Sequence, residues 1–516
     1  MTDRDYRPAG LLAACFLAAL APRPVFAAGE AWRTQFAQAQ ALAAQGQGAQ
    51  AAAAAEGAWT ASSRAPGPIE AEAIQILAFL ADAYHETGDA PSLAGVERRL
   101  GAIGDRTYEA SLALSRVLRY REEFPQARIA AARALSLRSG DVAARVELAL
   151  ADEELGRNAE AAKALEDVLR AKPRMYALDI QLAKLYARMG RADEAKERFA
   201  RAKRLGGDQS AAYIAEGYFL DDAGDDARAT ASFRHLIAVD TASPDGYVHL
   251  GSYLFTHHRF GEAEENFREA LELLRAHPPE NPDEPLHAMG WLGRAVLNQG
   301  RAGEAESIFR EGLGRARGKT HYEAFFSRLL GDLCAARGET RPAEDYYRRA
   351  VAACGEASCS RIVEADALCS LANFELDRGR RAPAQALAAR AWDRIGAAPV
   401  SSDLPVLDEL ARLYARLGGN DKAEKLFGDV VAASRATPFS TDLAQAQDGL
   451  ADLALRRGRF AEAETLYLKS LPAWERLGGK KEEARALEGL ASAYESEGKH
   501  GEAVSARGRA SALAAP

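Results

Sequence analysis

The sequence DIQLAKLYARMGRADEAKERFARAKRLGG, residues 179–207, contains two amphipathic segments that meet at Gly190. Apolar and small residues recur at helical spacing on one face of each segment: Leu182, Ala183 and Tyr186 in the first, and Ala195, Phe199 and Ala202 in the second. Gly190 tolerates the left-handed backbone conformation that an abrupt turn between two helices requires. The stretch therefore predicts two antiparallel helices that approach closely at their alanines and enclose Phe199.

The same arrangement recurs along most of the chain. Turn residues Gly156, Gly224 and His258 repeat the position of Gly190 with a period of 34 residues. Beyond Arg275 the period lengthens to between 38 and 42 residues, and the turn residues are Gly300, Gly338, Gly379, Gly418, Gly458 and Gly498. Weaker units upstream are centred on Gly46, Gly88 and Glu122. The sequence thus predicts about 13 helix pairs.

These residues and their 34-residue period resemble the tetratricopeptide repeat. The longer units resemble the kinesin-light-chain type of array, in period alone. The resemblance implies an all-α fold, a right-handed superhelical solenoid of about 13 antiparallel helix pairs. A heptad coiled coil or a HEAT-type array is the rival interpretation, but no seven-residue repeat is sustained and the regularly spaced glycines interrupt any continuous coil.

We expect three segments in the chain: a signal peptide at 1–27, an array with a mostly 34-residue period at 28–275, and an array with a period of 38 to 42 residues at 276–516. In the first segment Arg4 and Arg7 precede the apolar run 11–21, and the small residues around Ala27 suit signal cleavage. The protein is then exported, periplasmic or secreted. Two alternatives stay open: a lipoprotein anchored at Cys15, or an uncleaved cytoplasmic protein.

Composition and motifs argue against several classes of function. The chain has 66 Lys and Arg against 74 Asp and Glu, a net charge of −8, and no basic block of the kind that binds nucleic acid. No segment after the first 27 residues is long and apolar enough to span a membrane. No phosphate loop, nucleophile elbow or metalloprotease motif is present, so we expect no enzyme activity, cofactor or metal site. The pair His257-His258 lies in a turn and is interpreted as exposed.

Four cysteines follow the predicted signal peptide. Cys334 and Cys369 fall in first helices, where a buried thiol is expected. Cys354 and Cys359 lie in a connection between two units. A disulfide between them and a free pair are both compatible with the sequence, since the compartment itself is inferred.

The tetratricopeptide resemblance implies that first helices line a concave groove. The residues that follow the small residue of a first helix, or lie one turn away, vary between units as a partner-binding surface does. The candidate groove residues are Lys184, Arg188, Tyr218, Asp222, Arg294, Asn298, Arg328, Asp332, Asn373 and Arg412. We expect a non-enzymatic scaffold or adaptor that binds a protein partner, as an extended peptide or helix, in the bacterial cell envelope. A cytoplasmic regulatory adaptor and an unrecognised enzyme are the alternatives.

Overall fold

The computed structural model describes residues 31–45, 47–63, 70–86, 89–206, 210–279, 283–318, 320–355, 359–395, 403–435 and 437–514. The predicted signal peptide, Cys15 and the turn predictions at Gly46 and Gly88 lie outside these residues.

The described chain consists of helices, which account for 84% of its residues, and these residues contain no strand. The helices are α1 (Ala31–Ala44), α2 (Gly48–Ser62), α3 (Glu70–Glu86), α4 (Ala90–Ile103), α5 (Tyr108–Tyr120), α6 (Phe124–Leu137), α7 (Val142–Glu154), α8 (Asn158–Ala171), α9 (Tyr176–Arg188), α10 (Ala192–Gly206), α11 (Ser210–Asp222), α12 (Asp226–Val239), α13 (Asp245–Thr256), α14 (Phe260–Ala276), α15 (Asp283–Asn298), α16 (Ala302–Arg315), α17 (Thr320–Ala336), α18 (Thr340–Ala353), α19 (Arg361–Asp377), α20 (Arg381–Ile395), α21 (Leu404–Arg416), α22 (Asn420–Ala433), α23 (Thr441–Arg456), α24 (Phe460–Leu477), α25 (Lys480–Ser496) and α26 (His500–Ala514). Odd-numbered helices are the first helices of the pairs and even-numbered helices are the second. The prediction of an all-α solenoid of about 13 helix pairs is confirmed.

The turns between paired helices have the predicted backbone conformation. Positive φ angles, between 72° and 82°, occur at Gly156, Gly190, Gly224, Gly300, Gly338, Gly379, Gly418, Gly458 and Gly498. Two side-chain-bearing residues take the same conformation at the equivalent place, Glu122 at 62° and His258 at 54°. An L-residue other than glycine is disfavoured there by about 1 kcal/mol, so these two turns are retained against a local cost.

Paired helices touch where a small residue of the first helix faces an aromatic ring of the second. The glycines at this position are Gly217, Gly251, Gly293 and Gly331, and the rings that cover them are Phe233, Phe267, Phe309 and Tyr347, in that order. A Cβ atom added to any of these glycines would lie between 2.2 and 2.9 Å from an atom of its ring. All four rings are buried. The predicted close approach of the helices therefore depends on the absence of a side chain at these points.

Successive repeats are also joined by ion pairs beside the turns. Glu264 of α14 accepts hydrogen bonds from Arg301 Nη1 at 2.7 Å, Arg268 Nη2 at 2.8 Å and Gln299 Nε2 at 2.7 Å. Burial alone would raise the pKa of Glu264, but these three bonds outweigh it and lower the pKa to about 2. Equivalent pairs join Glu344 to Arg380, Glu424 to Arg459, and Glu464 to Lys499. The second helix of one repeat is thus tied to the turn of the next.

The helices group into two compact units. We call residues 31–212 with 274–279 and 283–285 the N-terminal unit, and residues 213–273 with the described part of 286–514 the C-terminal unit. Within both units a first helix packs against the next first helix as well as against its own partner, for example α5 against α7, and α19 against α21. Since first helices meet each other across repeats, they form the inner side of each unit.

A helix needs about 20 predominantly apolar residues to cross the hydrocarbon core of a bilayer. Within the described ranges none is both long and apolar enough to cross a membrane.

We predict opposite effects for two glycine substitutions. In Gly293→Ala the new methyl group would lie 2.2 Å from Phe309 Cε1, so unfolding should become easier by about 1 to 3 kcal/mol. Gly428 lies inside α22 with nothing within 4 Å of its Cβ position, so Gly428→Ala should stabilise by about 0.5 to 1 kcal/mol. Thermal unfolding followed by circular dichroism measures both shifts. A melting temperature for Gly293→Ala equal to or above that of the wild type would contradict the assigned contact.

Candidate functional site

We call the side of each unit that is lined by the first helices its inner surface. The candidate groove residues from the sequence all lie on first helices, from Lys184 and Arg188 on α9 to Arg412 on α21. Many of their charged groups contact a first helix of an adjacent repeat rather than projecting freely. The contacts differ between the two units.

In the N-terminal unit the charged residues of the inner surface form a buried network of ion pairs. Arg116 of α5 bridges Asp82 of α3 and Glu147 of α7, with both nitrogen–oxygen distances 3.0 Å. Arg119 adds a second pair with Glu147 at 2.9 Å, and Tyr120 donates to Asp82 at 2.8 Å. The two carboxylate side chains are each 4% exposed. The network therefore joins three successive first helices and leaves little charge for a partner.

The electrostatics of Glu147 follow from this geometry. Burial by itself would raise the pKa of its carboxyl, but Arg119 and Arg116 outweigh that effect and hold the pKa below its usual range. The charged form is therefore the stable form in the folded protein. At the far end of the unit Arg188 pairs with Glu153 at 3.0 Å, whereas Lys184 is half-buried on the same helix.

In the C-terminal unit the inner surface carries charges that are paired but still reach solvent. Arg328 of α17 contacts Asp332 at 2.7 Å and Asp366 of α19 at 2.8 Å. Asp332 also accepts a hydrogen bond from Tyr347 at 2.8 Å, and its side chain is 39% exposed. The pKa of Glu409 on α21 is held well above its usual range by burial and by the neighbouring Asp366. Arg328 thus pairs with two carboxylates, and a third carboxyl group, that of Glu409, lies beside Asp366.

The next repeats continue this pattern. Arg412 of α21 pairs with Asp408 at 2.7 Å and donates to the Gln445 carbonyl of α23 at 2.9 Å. Arg416 donates to Asn373 of α19 at 2.6 Å and pairs with Asp377 on the same helix, whose side chain is 63% exposed. The groove residues of α19 and α21 therefore link neighbouring first helices while keeping polar atoms accessible.

Aromatic contacts dominate the candidates nearer the start of the C-terminal unit. The Tyr218 hydroxyl and His249 Nδ1 share a hydrogen bond of 3.0 Å between α11 and α13. The Arg294 guanidinium lies 4.3 Å from the centroid of the Trp291 ring. Asn298 is exposed and donates to the Arg294 carbonyl at 2.9 Å, and Asp222 is half-buried at the end of α11.

The histidine pair was predicted incorrectly. His257 is not exposed: its side chain is 8% exposed, and Nε2 donates to Asp221 Oδ1 at 2.9 Å. Ligand atoms of Asp221, Asp226 and His257 lie within 4.8 Å of one another, a spacing that suits a metal ion. Arg476 pairs with both carboxylates, so a guanidinium already provides the positive charge at this point. Arg476 is more than 200 residues away in sequence, and no local sequence pattern indicates that it lies beside His257.

The cysteines occupy the expected environments. In the structure Cys354 and Cys359 form a disulfide, with Cα atoms 4.9 Å apart. Cys334 and Cys369 are free and buried. Burial is the largest cause of a pKa raised well above the usual range for Cys369, so its thiol is unreactive in the folded chain.

Comparison with known families identifies repeats of one type. Family models described as tetratricopeptide repeat match residues 112–175 and 249–320, residues 152–215, and residues 442–515. The chain therefore carries tetratricopeptide repeats, as the turn spacing implies. No curated protein matches the sequence.

Solved structures of several helical-repeat proteins are similar to this chain. PilF of Pseudomonas aeruginosa is 19% identical, with 42% of this chain and 90% of that chain covered and a TM-score of 0.32. Yeast Tom70 is 15% identical over 91% of this chain and 96% of its own, with a TM-score of 0.37. The Cut9–Hcn1 hetero-tetramer of the APC/C gives 14% identity, 94% of each chain and a TM-score of 0.39.

We predict that the inner charge pairs of the two units contribute differently to stability. Arg116→Met should destabilise the chain by roughly 3 to 5 kcal/mol, because it removes a cation from two buried carboxylates. Arg416→Met is the matched control, since it also removes a first-helix arginine that pairs with the preceding first helix, and should cost less than about 1 kcal/mol. Urea unfolding of the full chain compares them. Equal losses in the two variants would contradict the difference in burial.

Proposed function

We propose that this tetratricopeptide-repeat chain is a non-enzymatic scaffold that binds a protein partner on the inner surface of its C-terminal unit, as an extended peptide or a helix. The observation that carries the proposal is the accessible charge on α17, α19 and α21. Asp332 and Asp377 keep 39% and 63% of their side chains exposed, whereas Asp82 and Glu147 on the inner surface of the N-terminal unit keep 4%.

The chemistry of this surface favours a polar partner with basic groups. Asp332 and Asp366 share the guanidinium of Arg328, and Glu409 lies beside Asp366, so a further cation from a partner would find several carboxyl oxygens at this point. A lysine or arginine side chain placed there would stabilise the charged form of Glu409 and so lower its pKa. Arginines such as Arg412 add groups that are frequent in protein interfaces.

We further propose that the protein is exported and acts in the bacterial cell envelope. The features that support this are the charged and apolar segments of the first 27 residues and the Cys354–Cys359 disulfide, since disulfides persist in oxidising compartments. Fractionation of the native host with N-terminal sequencing of the protein tests the proposal. A chain that starts at Ala28 in the periplasm supports it, a lipid-modified Cys15 supports anchoring instead, and an intact N-terminus in the cytoplasm refutes export.

We predict that partner binding depends on the inner surface of the C-terminal unit. The double variant Asp332→Asn with Asp377→Asn should weaken capture of the native partner about tenfold, because each exposed carboxylate lost from a charge pair with the partner costs about 0.5 to 1 kcal/mol of binding. The matched control is Glu311→Gln with Asp421→Asn, which removes two exposed carboxylates from the second helices α16 and α22. Immobilised full-length protein and quantitative mass spectrometry of a host extract give the comparison.

The result can contradict the proposal in a definite way. If the second-helix variant loses the partner and the inner-surface variant retains it, the binding surface is on the outer side. Circular dichroism must first show that both variants keep the wild-type helix content, since Asp332 also pairs with Arg328 and Asp377 with Arg416.

We predict that Cys354 and Cys359 are oxidised in protein isolated from its native compartment. The bond closes a short loop, so it should stabilise by at most about 2 kcal/mol, through a local effect on the connection between α18 and α19. Alkylation of the unfolded, unreduced protein followed by peptide mapping should label Cys334 and Cys369 and spare the pair. Labelling of Cys354 and Cys359 in periplasmic protein would remove the disulfide and weaken the argument for an oxidising compartment.

A further inference from the structure

The C-terminal unit contains a contact between residues that are very distant in sequence. Arg476, at the end of α24, donates from Nη2 to Asp221 Oδ1 at 2.7 Å and also to Asp226. Arg476 lies 255 positions after Asp221 and 250 positions after Asp226 in the sequence. Asp221 lies in the last turn of α11 and Asp226 begins α12, so Arg476 contacts both sides of the turn of an early repeat. All other ion pairs named above join helices of the same or adjacent repeats.

An aromatic ring covers the same turn. Phe439 lies just before α23, and a Cβ atom on Gly224 would be 3.2 Å from its Cε2 atom. The Arg476 guanidinium lies 5.3 Å from the centroid of this ring, within the range of a cation–π contact. Gly224 has a positive φ of 80°, so the turn presents a bare backbone on which the ring can rest. The loop before α23 and the end of α24 therefore both contact the turn at Gly224.

A second early turn completes the contact. His257 follows α13 and donates to Asp221, and its carbonyl oxygen would be 3.4 Å from a Cβ atom on Gly478. His258 Nε2 would be 3.2 Å from a Cβ atom on Gly479. Gly478 has a left-handed conformation that ends α24, and both glycines let the chain pass close to the two histidines. The turn after α24 is thus fitted against the turn after α13.

Three polar side chains at this contact are removed from water, whereas that of Asp226 is 46% exposed. The side chains of Asp221 and His257 are each 8% exposed and that of Arg476 is 12% exposed. A buried charge pair is costly to break from one side, because the remaining charge keeps its desolvation penalty. Neighbouring repeats bury whole aromatic rings between their helices, whereas this contact depends on charge pairs and the Phe439 ring. It can therefore open as a unit while every repeat stays folded.

We propose that Arg476, Phe439 and the turns at 221–226 and 257–258 form a latch that closes the C-terminal unit on itself. In the closed state the turns of α11–α12 and α13–α14 are held against the α24–α25 turn, and in the open state the repeats between them separate at their ends. The first helices from α15 to α21 lie in sequence between the two sides of the latch. Opening therefore controls how a large partner reaches their inner surface, a consequence that rests on the proposed function.

Hydrogen–deuterium exchange of the full chain tests the latch without any partner. Arg476→Met should increase deuterium uptake in the turns at 221–226 and 257–259 by several fold, and small-angle X-ray scattering should show a larger radius of gyration. The matched control is Arg457→Met, which also removes an arginine with two carboxylate partners, Asp421 and Glu424, but only between adjacent repeats. The control should leave uptake in both early turns at the wild-type level.

A second variant separates the latch from a local role of Arg476. Phe439→Ala leaves all the charges in place and should raise uptake at 221–226, more than 200 residues away. Unchanged uptake in both early turns for Arg476→Met and Phe439→Ala, or a change confined to the mutated helix, would overturn the latch. Either result leaves the partner-binding proposal to its own capture experiment, so the two proposals can fail separately.

Discussion

The close contact between a glycine of the first helix and an aromatic ring of the second, which recurs in four successive helix pairs from α11–α12 to α17–α18, sets the geometry on which the rest of this structure depends. Gly293 beneath Phe309 shows the constraint most sharply, since even one methyl group would lie 2.2 Å from the ring. A single pair of helices cannot bury its apolar faces alone, and stacking of neighbours covers them. The fixed approach within a pair therefore fixes where the next pair packs, and so places the first helices side by side.

Most of this architecture was predictable because its causes are local. The turn at Gly190 needs a residue that accepts positive φ, and its position relative to the ring of Phe199 is set by helical periodicity. The period even identified the turns at Glu122 and His258, where the residue type alone favours no turn. The surrounding helix packing decides the conformation there, against the preference of the individual residue.

The candidate site was less predictable, because its contacts depend on which repeats become neighbours. Asp82, Arg116 and Glu147 lie 34 and 31 residues apart, close to one period, and opposite charges at that spacing were a signal that sequence reasoning missed. Their pairing follows once first helices are known to meet. No comparable signal existed for His257, because its environment is completed by Arg476, several repeats later. Whether a unit closes on itself depends on the small rotations between successive repeats, which add up along the chain. The repeat period does not give the size of these rotations.

The pairing of the inner charges also bears on how such a surface can bind. A partner that binds in the C-terminal unit must make contacts with Arg328 and the acidic groups around it that are at least as favourable as the present ion pairs of Arg328 with Asp332 and Asp366. Displacing an exposed pair, such as that of Arg416 and Asp377, costs little, since such pairs contribute about 0 to 1 kcal/mol. Breaking a buried pair, such as that between Arg116 and Glu147, would leave an unpaired charge removed from water, at a cost of several kcal/mol. The difference in exposure therefore makes the N-terminal inner surface a structural support and leaves the C-terminal one able to exchange its contacts.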